Sequence, residues 1–74
     1  MRLGNNIRRC RFDNNEMSQQ ELADAVGVTR QTIFSIEKGI FIPSTLLALK
    51  IAQFFKKSVE EIFFIPEDKK ENNS

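Results

Sequence analysis

Residues 17–39 read MSQQELADAVGVTRQTIFSIEKG, and this stretch contains two helical patterns separated by a glycine. Ser18 followed by Glu21 matches a capping box, in which the hydroxyl accepts the N–H of residue 21 and the carboxylate accepts the N–H of residue 18. Apolar residues then repeat at helical spacing as far as Gly27, a residue type that enters the left-handed conformation without steric cost. The pattern predicts a helix that begins after Ser18 and ends at Gly27.

A second helix follows at once in the same stretch. Thr29 is a suitable N-cap, Ile33 and Ile36 repeat at helical spacing, and Gly39 is a natural stop. The outward positions between the cap and the stop are polar or aromatic. This segment is therefore predicted to be a helix with one apolar face buried and one face presented outward.

The connection between these two helices is too short to lay them antiparallel. Only Gly27 and Val28 precede the Thr29 cap, so the helices are expected to meet at roughly 90–120°. Ala23 provides a small side chain where the helices cross. These features predict a helix-turn-helix over residues 18–38, with Ala23 and Gly27 in structural roles.

The rest of the chain also has helical periodicity. A first helix is predicted near residues 3–13, a fourth after Ser44, and a short fifth after the capping-box residue Ser58, continuing through Phe63 or Phe64. Residues 62–65 are too few and too isolated to seed a sheet. The prediction is an all-α, compact five-helix bundle in one domain, residues 1–66, followed by a frayed polar tail, residues 67–74.

Composition excludes several classes of function. The 74 residues include no His and one Cys, which removes the commonest general base and any zinc site of the Cys/His type. Cys10 is expected to be a buried, inert thiol in a reducing cytoplasm. The chain has no apolar run of about 18 residues that could span a membrane. We expect a cytoplasmic protein without catalysis, cofactor, metal or small-molecule ligand.

The chain resembles the Xre/Cro-type (lambda-repressor-like) helix-turn-helix transcriptional regulators. The residues that carry the resemblance are MSQQELADAVGVTRQTIFSIEKG (17–39), IPS (42–44), LALKIAQFF (47–55) and SVEEIF (58–63). The resemblance implies a lambda-repressor-like DNA-binding domain from a bacterial or phage cytoplasm that binds an operator, commonly as a dimer. It also implies that Arg11 pairs with Glu37 in a structural role, and that Gln19 contacts a DNA phosphate and supports the region of Gln31.

The outward face of the third helix carries the chemistry of base recognition. Arginine bonds bidentately to guanine, glutamine bonds to adenine, and a threonine methyl or phenyl ring packs on the thymine methyl. The predicted base-contacting residues are Arg30, Gln31, Thr32, Phe34 and Ser35. An ordinary solvated face remains the alternative for the first three, a phosphate contact for Ser35, and a partial core position or an exposed ring for Phe34.

Predicted phosphate contacts lie at the edges of the motif. Helix N-termini offer free N–H groups and a positive dipole end to an anion, which favours contacts at the start of the second and third helices. The predicted phosphate-contacting residues are Ser18, Gln19, Thr29 and Lys38. Such contacts position a protein on double-stranded DNA, whereas base contacts specify the sequence.

Charge and aromatic residues point to self-association. The net charge of +1 divides into nine basic and five acidic residues over 1–57 and two basic and five acidic over 58–74. Adjacent phenylalanines on a helix lie about 100° apart and cannot both face one core. Phe55, Phe63 and Phe64 are therefore candidates for a homodimer contact.

The function predicted from these observations is a sequence-specific, repressor-like transcriptional regulator that acts as a homodimer on a near-palindromic operator. Two rivals remain at this point. One is an antitoxin-like or adaptor helix-turn-helix whose main partner is another protein, which an acidic or leucine-rich third helix would have favoured. The other is a small enzyme such as a nuclease, which the absence of His and the scattered carboxylates disfavour.

Overall fold

A computed structural model of the protein describes residues 3–66, and the predicted fraying of the tail over 67–74 lies outside the described residues. Five helices form a compact all-α body, to which a pair of two-residue strands is added. The elements in chain order are β1 (Gly4–Asn5), α1 (Ile7–Asp13), α2 (Gln19–Val26), α3 (Arg30–Glu37), α4 (Thr45–Phe55), α5 (Val59–Ile62) and β2 (Phe63–Phe64).

The predicted caps set the starts of four helices. In the α2 capping box, Glu21 N donates to Ser18 Oγ at 3.0 Å and Ser18 N donates to Glu21 Oε1 at 2.8 Å. A second capping box opens α5 at Ser58, and the hydroxyls of Thr29 and Ser44 cap α3 and α4. Each cap satisfies an N–H group that the first helical turn leaves without an internal partner.

One core joins all five helices. The largest fully buried side chains come from every helix: Ile7 from α1, Leu22 from α2, Ile33 and Ile36 from α3, Ile51 from α4 and Ile62 from α5. Ala23 is fully buried as well, which is consistent with the small side chain predicted at the helix crossing. Because α3 contributes two of these anchors, its opposite face is held outward by packing.

The N-terminal segment differs from the prediction. Residues 4–5 do not extend α1 but pair antiparallel with residues 63–64, in the register Gly4 with Phe64 and Asn5 with Phe63. The predictions of a helix from residue 3, of a fifth helix reaching Phe63, and of no strand are therefore wrong. The pairing depends on a partner at the other end of the chain, a contact that local periodicity does not encode.

The surroundings of Gly4 and Asn5 show how this segment is held in place. A Cβ on Gly4 would overlap the ring of Phe64, so only glycine admits this ring against the backbone. Asn5 Oδ1 accepts the N–H of Ile7 at 3.2 Å, while Asn5 Nδ2 donates to the carbonyl of Ile36 at 2.9 Å. Asn5 thus helps to start α1 and attaches the N-terminal segment to the end of α3.

Candidate nucleic-acid interface

The outward face of α3 presents the predicted residues to solvent. Arg30, Gln31 and Phe34 are exposed, whereas Thr32 and Ser35 are half-buried along the flank of the helix. The buried side of the helix is apolar. The sequence and the packing therefore give α3 one anchored face and one outward polar face that begins at its N-terminus.

The exposed hydroxyl of Thr29 is engaged in hydrogen bonds within the protein. It accepts the N–H of Thr32 at 3.2 Å and lies 3.0 Å from the hydroxyl of Thr32. Gln31 Nε2 reaches Ser35 Oγ at 3.3 Å on the next turn. These contacts pre-order short polar side chains along the outward face, so less rotamer freedom is lost when the face binds a partner.

The turn between α2 and α3 contains the predicted glycine. Gly27 has φ 79° and ψ 35°, the left-handed conformation, and its N–H donates to the carbonyl of Ala23. Val28 N also donates to that carbonyl, at 3.0 Å. Gly27 therefore ends α2 in the left-handed conformation that the sequence predicts.

An ion pair ties the end of α3 to α1. Arg11 Nε donates to Glu37 Oε2 at 2.7 Å and Arg11 Nη2 donates to Glu37 Oε1 at 3.0 Å. The side chains are 14% and 9% exposed, so the pair is largely shielded from water. Arg11 Nη1 also donates to the carbonyl of Met17 at 2.8 Å. The pairing that the resemblance implies is present.

Further hydrogen bonds connect the ion pair at the end of α3 to Arg30 at the start of the same helix. Gln19 Nε2 donates to Glu37 Oε1 at 3.1 Å, and Arg30 Nη1 donates to Gln19 Oε1 at 3.3 Å. The carboxylate of Glu37 accepts three hydrogen bonds, two of them from a cation, which reduces its repulsion of a nearby anion. Gln19 links the buried pair to the exposed Arg30.

Basic side chains surround this chain of contacts. A shallow depression between α1, α2 and α3 is lined by Arg8, Gln19, Phe34 and Lys38, together with Asn5 and the ion pair. The ammonium of Lys38 lies 5.7 Å from the centroid of the Phe34 ring, within cation–π range. Arg8 is not among the predicted contacts; its spacing of three residues from Arg11, on one side of α1, is the signal for this placement.

The three dimer candidates have different environments. Phe64 is 43% exposed, Phe63 is a core residue at 7%, and Phe55 is half-buried against the core. Phe55 also meets Phe54 edge to face, with ring centroids 5.1 Å apart. Residues 63–64 form a strand whose successive side chains point to opposite faces, so the ring of Phe63 packs into the core and leaves little surface for the predicted dimer contact.

Cys10 is buried in α1, as predicted. Burial raises the pKa of its thiol, because the charged thiolate loses solvation there. The protonated thiol is a weak nucleophile. Cys10 is therefore a packing residue and not part of the interface.

Comparison with known proteins identifies the architecture. The family model described as Helix-turn-helix, an Xre/lambda-repressor-like group, matches residues 7–62. This chain belongs to that helix-turn-helix family. An uncharacterized HTH-type transcriptional regulator of Bacillus subtilis, YgzD, is 51% identical over 51 residues, covering 69% of this chain and 77% of the relative.

Two further proteins that are similar to this chain are also described as transcriptional regulators. An uncharacterized HTH-type transcriptional regulator of Methanocaldococcus jannaschii is 50% identical over 52 residues, covering 70% of this chain and 79% of the relative. The crystal structure of the transcriptional regulator VanUg superposes with a TM-score of 0.67 at 25% identity, covering 89% of this chain and 88% of that one. The chain is thus a DNA-binding regulator of the HTH type.

Within residues 3–66, no helix has both the length and the apolar character that crossing a bilayer requires.

Proposed function

We propose that this regulator binds a specific DNA sequence by laying α3 in the major groove. The observation that carries the proposal is the exposure of Arg30 and Gln31 at the start of a helix whose other face is anchored in the core. An α-helix fits the major groove of B-DNA, and its N-terminal side chains meet the base edges. A rigidly held helix keeps these donors in register with the bases.

The outward residues of α3 recognise the bases. Arg30 donates bidentately to guanine and Gln31 to adenine, the two contacts that best distinguish base pairs in the major groove. Phe34 packs on a thymine methyl with its exposed edge. Thr32 and Ser35, which are half-buried on the flank, contribute shorter-range contacts to bases beside them.

Phosphate contacts flank the reading face. Gln19 lies at the first helical position of α2, and Ser18 and Thr29 are the N-caps of α2 and α3, where unpaired N–H groups attract a phosphate. Lys38 follows α3 and is exposed. These four residues hold the protein on the DNA backbone at a fixed register, without reading sequence themselves.

The regulator acts as a homodimer on a near-palindromic operator in the cytoplasm. A two-fold dimer places two copies of α3 in successive major grooves, about 34–36 Å apart, and the operator then repeats its half-site in inverted orientation. Occupancy of such a site beside a promoter blocks transcription, which makes the protein repressor-like.

Random-site selection with the full chain tests this function. The expected result is an enriched inverted repeat whose half-sites are centred about one helical turn apart, followed by a footprint over both halves. Selection with Gln31→Ala is the matched control, and it should lose preference at one position in each half-site. No enriched sequence with the folded wild-type protein would overturn the proposal and favour a protein partner for α3.

A further inference from the structure

The shallow depression between α1, α2 and α3 carries an excess of positive charge. Its volume is about 380 Å³, and its charged lining consists of three cations, Arg8, Arg11 and Lys38, and one carboxylate, Glu37. These four charges have a balance of +2. A concave surface with an excess of one sign concentrates ions of the opposite sign, so this depression attracts an anion.

Two of the three cations are available to an anion that arrives from solvent. Arg11 is largely buried and is bound to Glu37. Arg8 and Lys38 are exposed, and no carboxylate of residues 3–66 forms an ion pair with either of them. The excess charge of the depression therefore resides on Arg8, from α1, and on Lys38, from the end of α3.

The position of Arg8 is fixed by the packing of α1. Ile7 and Cys10 are buried and anchor the inner side of this helix. Just before the helix, Asn5 Nδ2 donates to the carbonyl of Ile36 at 2.9 Å, which attaches the start of α1 to α3. Arg8 thus extends from an anchored helix and not from a loop, so little backbone freedom is lost when its guanidinium binds a partner.

The depression is continuous with the proposed reading face. Phe34 is a predicted base-contacting residue and also lines the depression, with the Lys38 ammonium 5.7 Å from the centroid of its ring. The ring restrains the ammonium by a cation–π attraction. When α3 lies in a major groove, the phosphate backbone that borders the groove lies beside this face, where Arg8 is exposed.

We propose that Arg8 binds a phosphate of the DNA backbone, next to the phosphate that Lys38 contacts. The inference rests on the proposed function and extends the interface to α1, outside the helix-turn-helix. Arginine forms charge-assisted and often bidentate hydrogen bonds with phosphate, which suits a cation at the rim of a depression. A DNA phosphate fits better than a carboxylate of a protein partner, because the same surface continues into Arg30 and Gln31, whose donors match base edges.

The salt dependence of DNA binding tests the role of Arg8. For Arg8→Ala, the slope of log K against log salt should become shallower by about one, because one phosphate contact is lost. Arg8→Lys should keep the wild-type slope, since the charge is retained. Arg9→Ala is the matched control: Arg9 is the neighbouring cation, does not line the depression, and lies 3.3 Å from Asp13. Its removal should leave the slope unchanged.

Ethylation interference on the selected operator locates the contact. Ethylation removes the charge of one phosphate and weakens binding wherever a protein cation needs that charge. Arg8→Ala should become insensitive to ethylation at one phosphate that the wild type requires, and Lys38→Ala should become insensitive at the adjacent phosphate. A purely structural role for Arg8 would lower the affinity without changing this pattern.

Circular dichroism identifies a variant that has failed to fold, and Arg8→Gln replaces Arg8→Ala in that event. A folded Arg8→Ala protein with the wild-type slope and the wild-type ethylation pattern would overturn the inference. So would an equal loss of slope in Arg9→Ala, because the effect would then reflect overall charge and not the place of Arg8.

A duplex of unrelated sequence separates this inference from the proposed function. Phosphate contacts do not depend on sequence, so Arg8→Ala should also make the slope on this duplex shallower. Equal affinity of the wild type for the two duplexes would overturn sequence-specific binding, and a shallower slope for Arg8→Ala would still support the phosphate contact. Specific binding by the wild type, with an unchanged slope for Arg8→Ala on both duplexes, would overturn the contact of Arg8 only.

Discussion

Arg11 binds Glu37 through two hydrogen bonds and thereby ties α1 to the end of α3 across 26 positions of the chain. The distances are 2.7 Å and 3.0 Å, and both side chains are largely buried. Glu37 also accepts from Gln19, which in turn accepts from Arg30. A structural pair in the interior thus fixes the helix that is proposed to read DNA.

Removal of one partner of this pair should be strongly destabilising. Arg11→Met leaves a buried carboxylate without its cation, and we expect a loss of about 3–5 kcal/mol in the free energy of unfolding, measured by urea denaturation. The double variant Arg11→Met, Glu37→Met should recover much of that loss, since no unpaired charge remains.

The exposed pair on α1 is the control for that experiment. Arg9 Nε lies 3.3 Å from Asp13 Oδ2, with side chains that are 76% and 57% exposed. Arg9→Ala should cost no more than about 1 kcal/mol, because solvent screens an exposed pair. Equal losses for Arg9→Ala and Arg11→Met would contradict the structural role assigned to Arg11.

Arg30→Ala should weaken specific binding by about 1–3 kcal/mol and relax the preference at one base pair of each half-site. Arg30→Lys should restore part of the affinity but not the preference, because an ammonium lacks the bidentate fork. Binding is measured by fluorescence anisotropy on the selected operator and on single-base variants of it. Lys50→Ala, at an exposed cation on α4, is the charge-matched control and should leave the base preference unchanged.

Lys38→Ala should weaken binding evenly across operator variants. If Lys38 contacts one phosphate, the slope of log K against log salt should become shallower by about one. Lys38→Arg should keep the wild-type slope because the charge is retained. An unchanged slope for Lys38→Ala would remove Lys38 from the phosphate contacts and leave the assignment of α3 intact.

Gly27→Ala should destabilise the fold by about 1–2 kcal/mol, the cost of placing a Cβ in the left-handed region. A Cβ at this residue would have no atom within 4 Å, so a clash contributes nothing and the whole cost is conformational. Gly27→Asn should cost less, since asparagine tolerates this conformation better. Urea denaturation measures both, and a larger loss for asparagine would contradict the backbone explanation.

Stability should depend on pH through Glu61. Its carboxylate accepts the Ser58 N–H at 2.7 Å, and this hydrogen bond holds the pKa of Glu61 below its ordinary value of 4.5. A lowered folded pKa contributes stability that is present above pH 4.5 and is lost as the pH falls through the folded value.

The measurement is thermal unfolding from pH 7 to pH 3, with Glu61→Gln for comparison. Glutamine can keep the capping hydrogen bond but cannot titrate, so the advantage of the wild type should shrink below about pH 4.5. Glu60→Gln removes a charge from the same turn without touching the capping box. The same pH response for both variants would exclude the capping box as its cause.

Local chemistry explains what was predictable. The capping boxes at Ser18 and Ser58 and the turn at Gly27 involve residues three or four positions apart, so their residue types are sufficient to predict them. The Arg11–Glu37 contact came from a family resemblance, because no spacing rule connects residues 26 positions apart.

The errors concern contacts between distant parts of the chain. Gly4 looked like a helix residue and Phe64 like the end of one, yet they are partners in a strand pair. Because residues 63–64 form a strand and not a helical turn, their side chains point to opposite faces. Phe63 is therefore buried and Phe64 is exposed. No local pattern distinguishes these two phenylalanines.

The sequence by itself determined five helices, their caps, the sharp turn and the outward set on α3, because each depends on side-chain chemistry within one or two turns. The tertiary structure alone decided the pairing of residues 4–5 with 63–64 and the hydrogen bonds by which Gln19 joins Glu37 to Arg30. These features arise where separate segments meet, and the free energy of such contacts depends on distances that the order of residues does not specify.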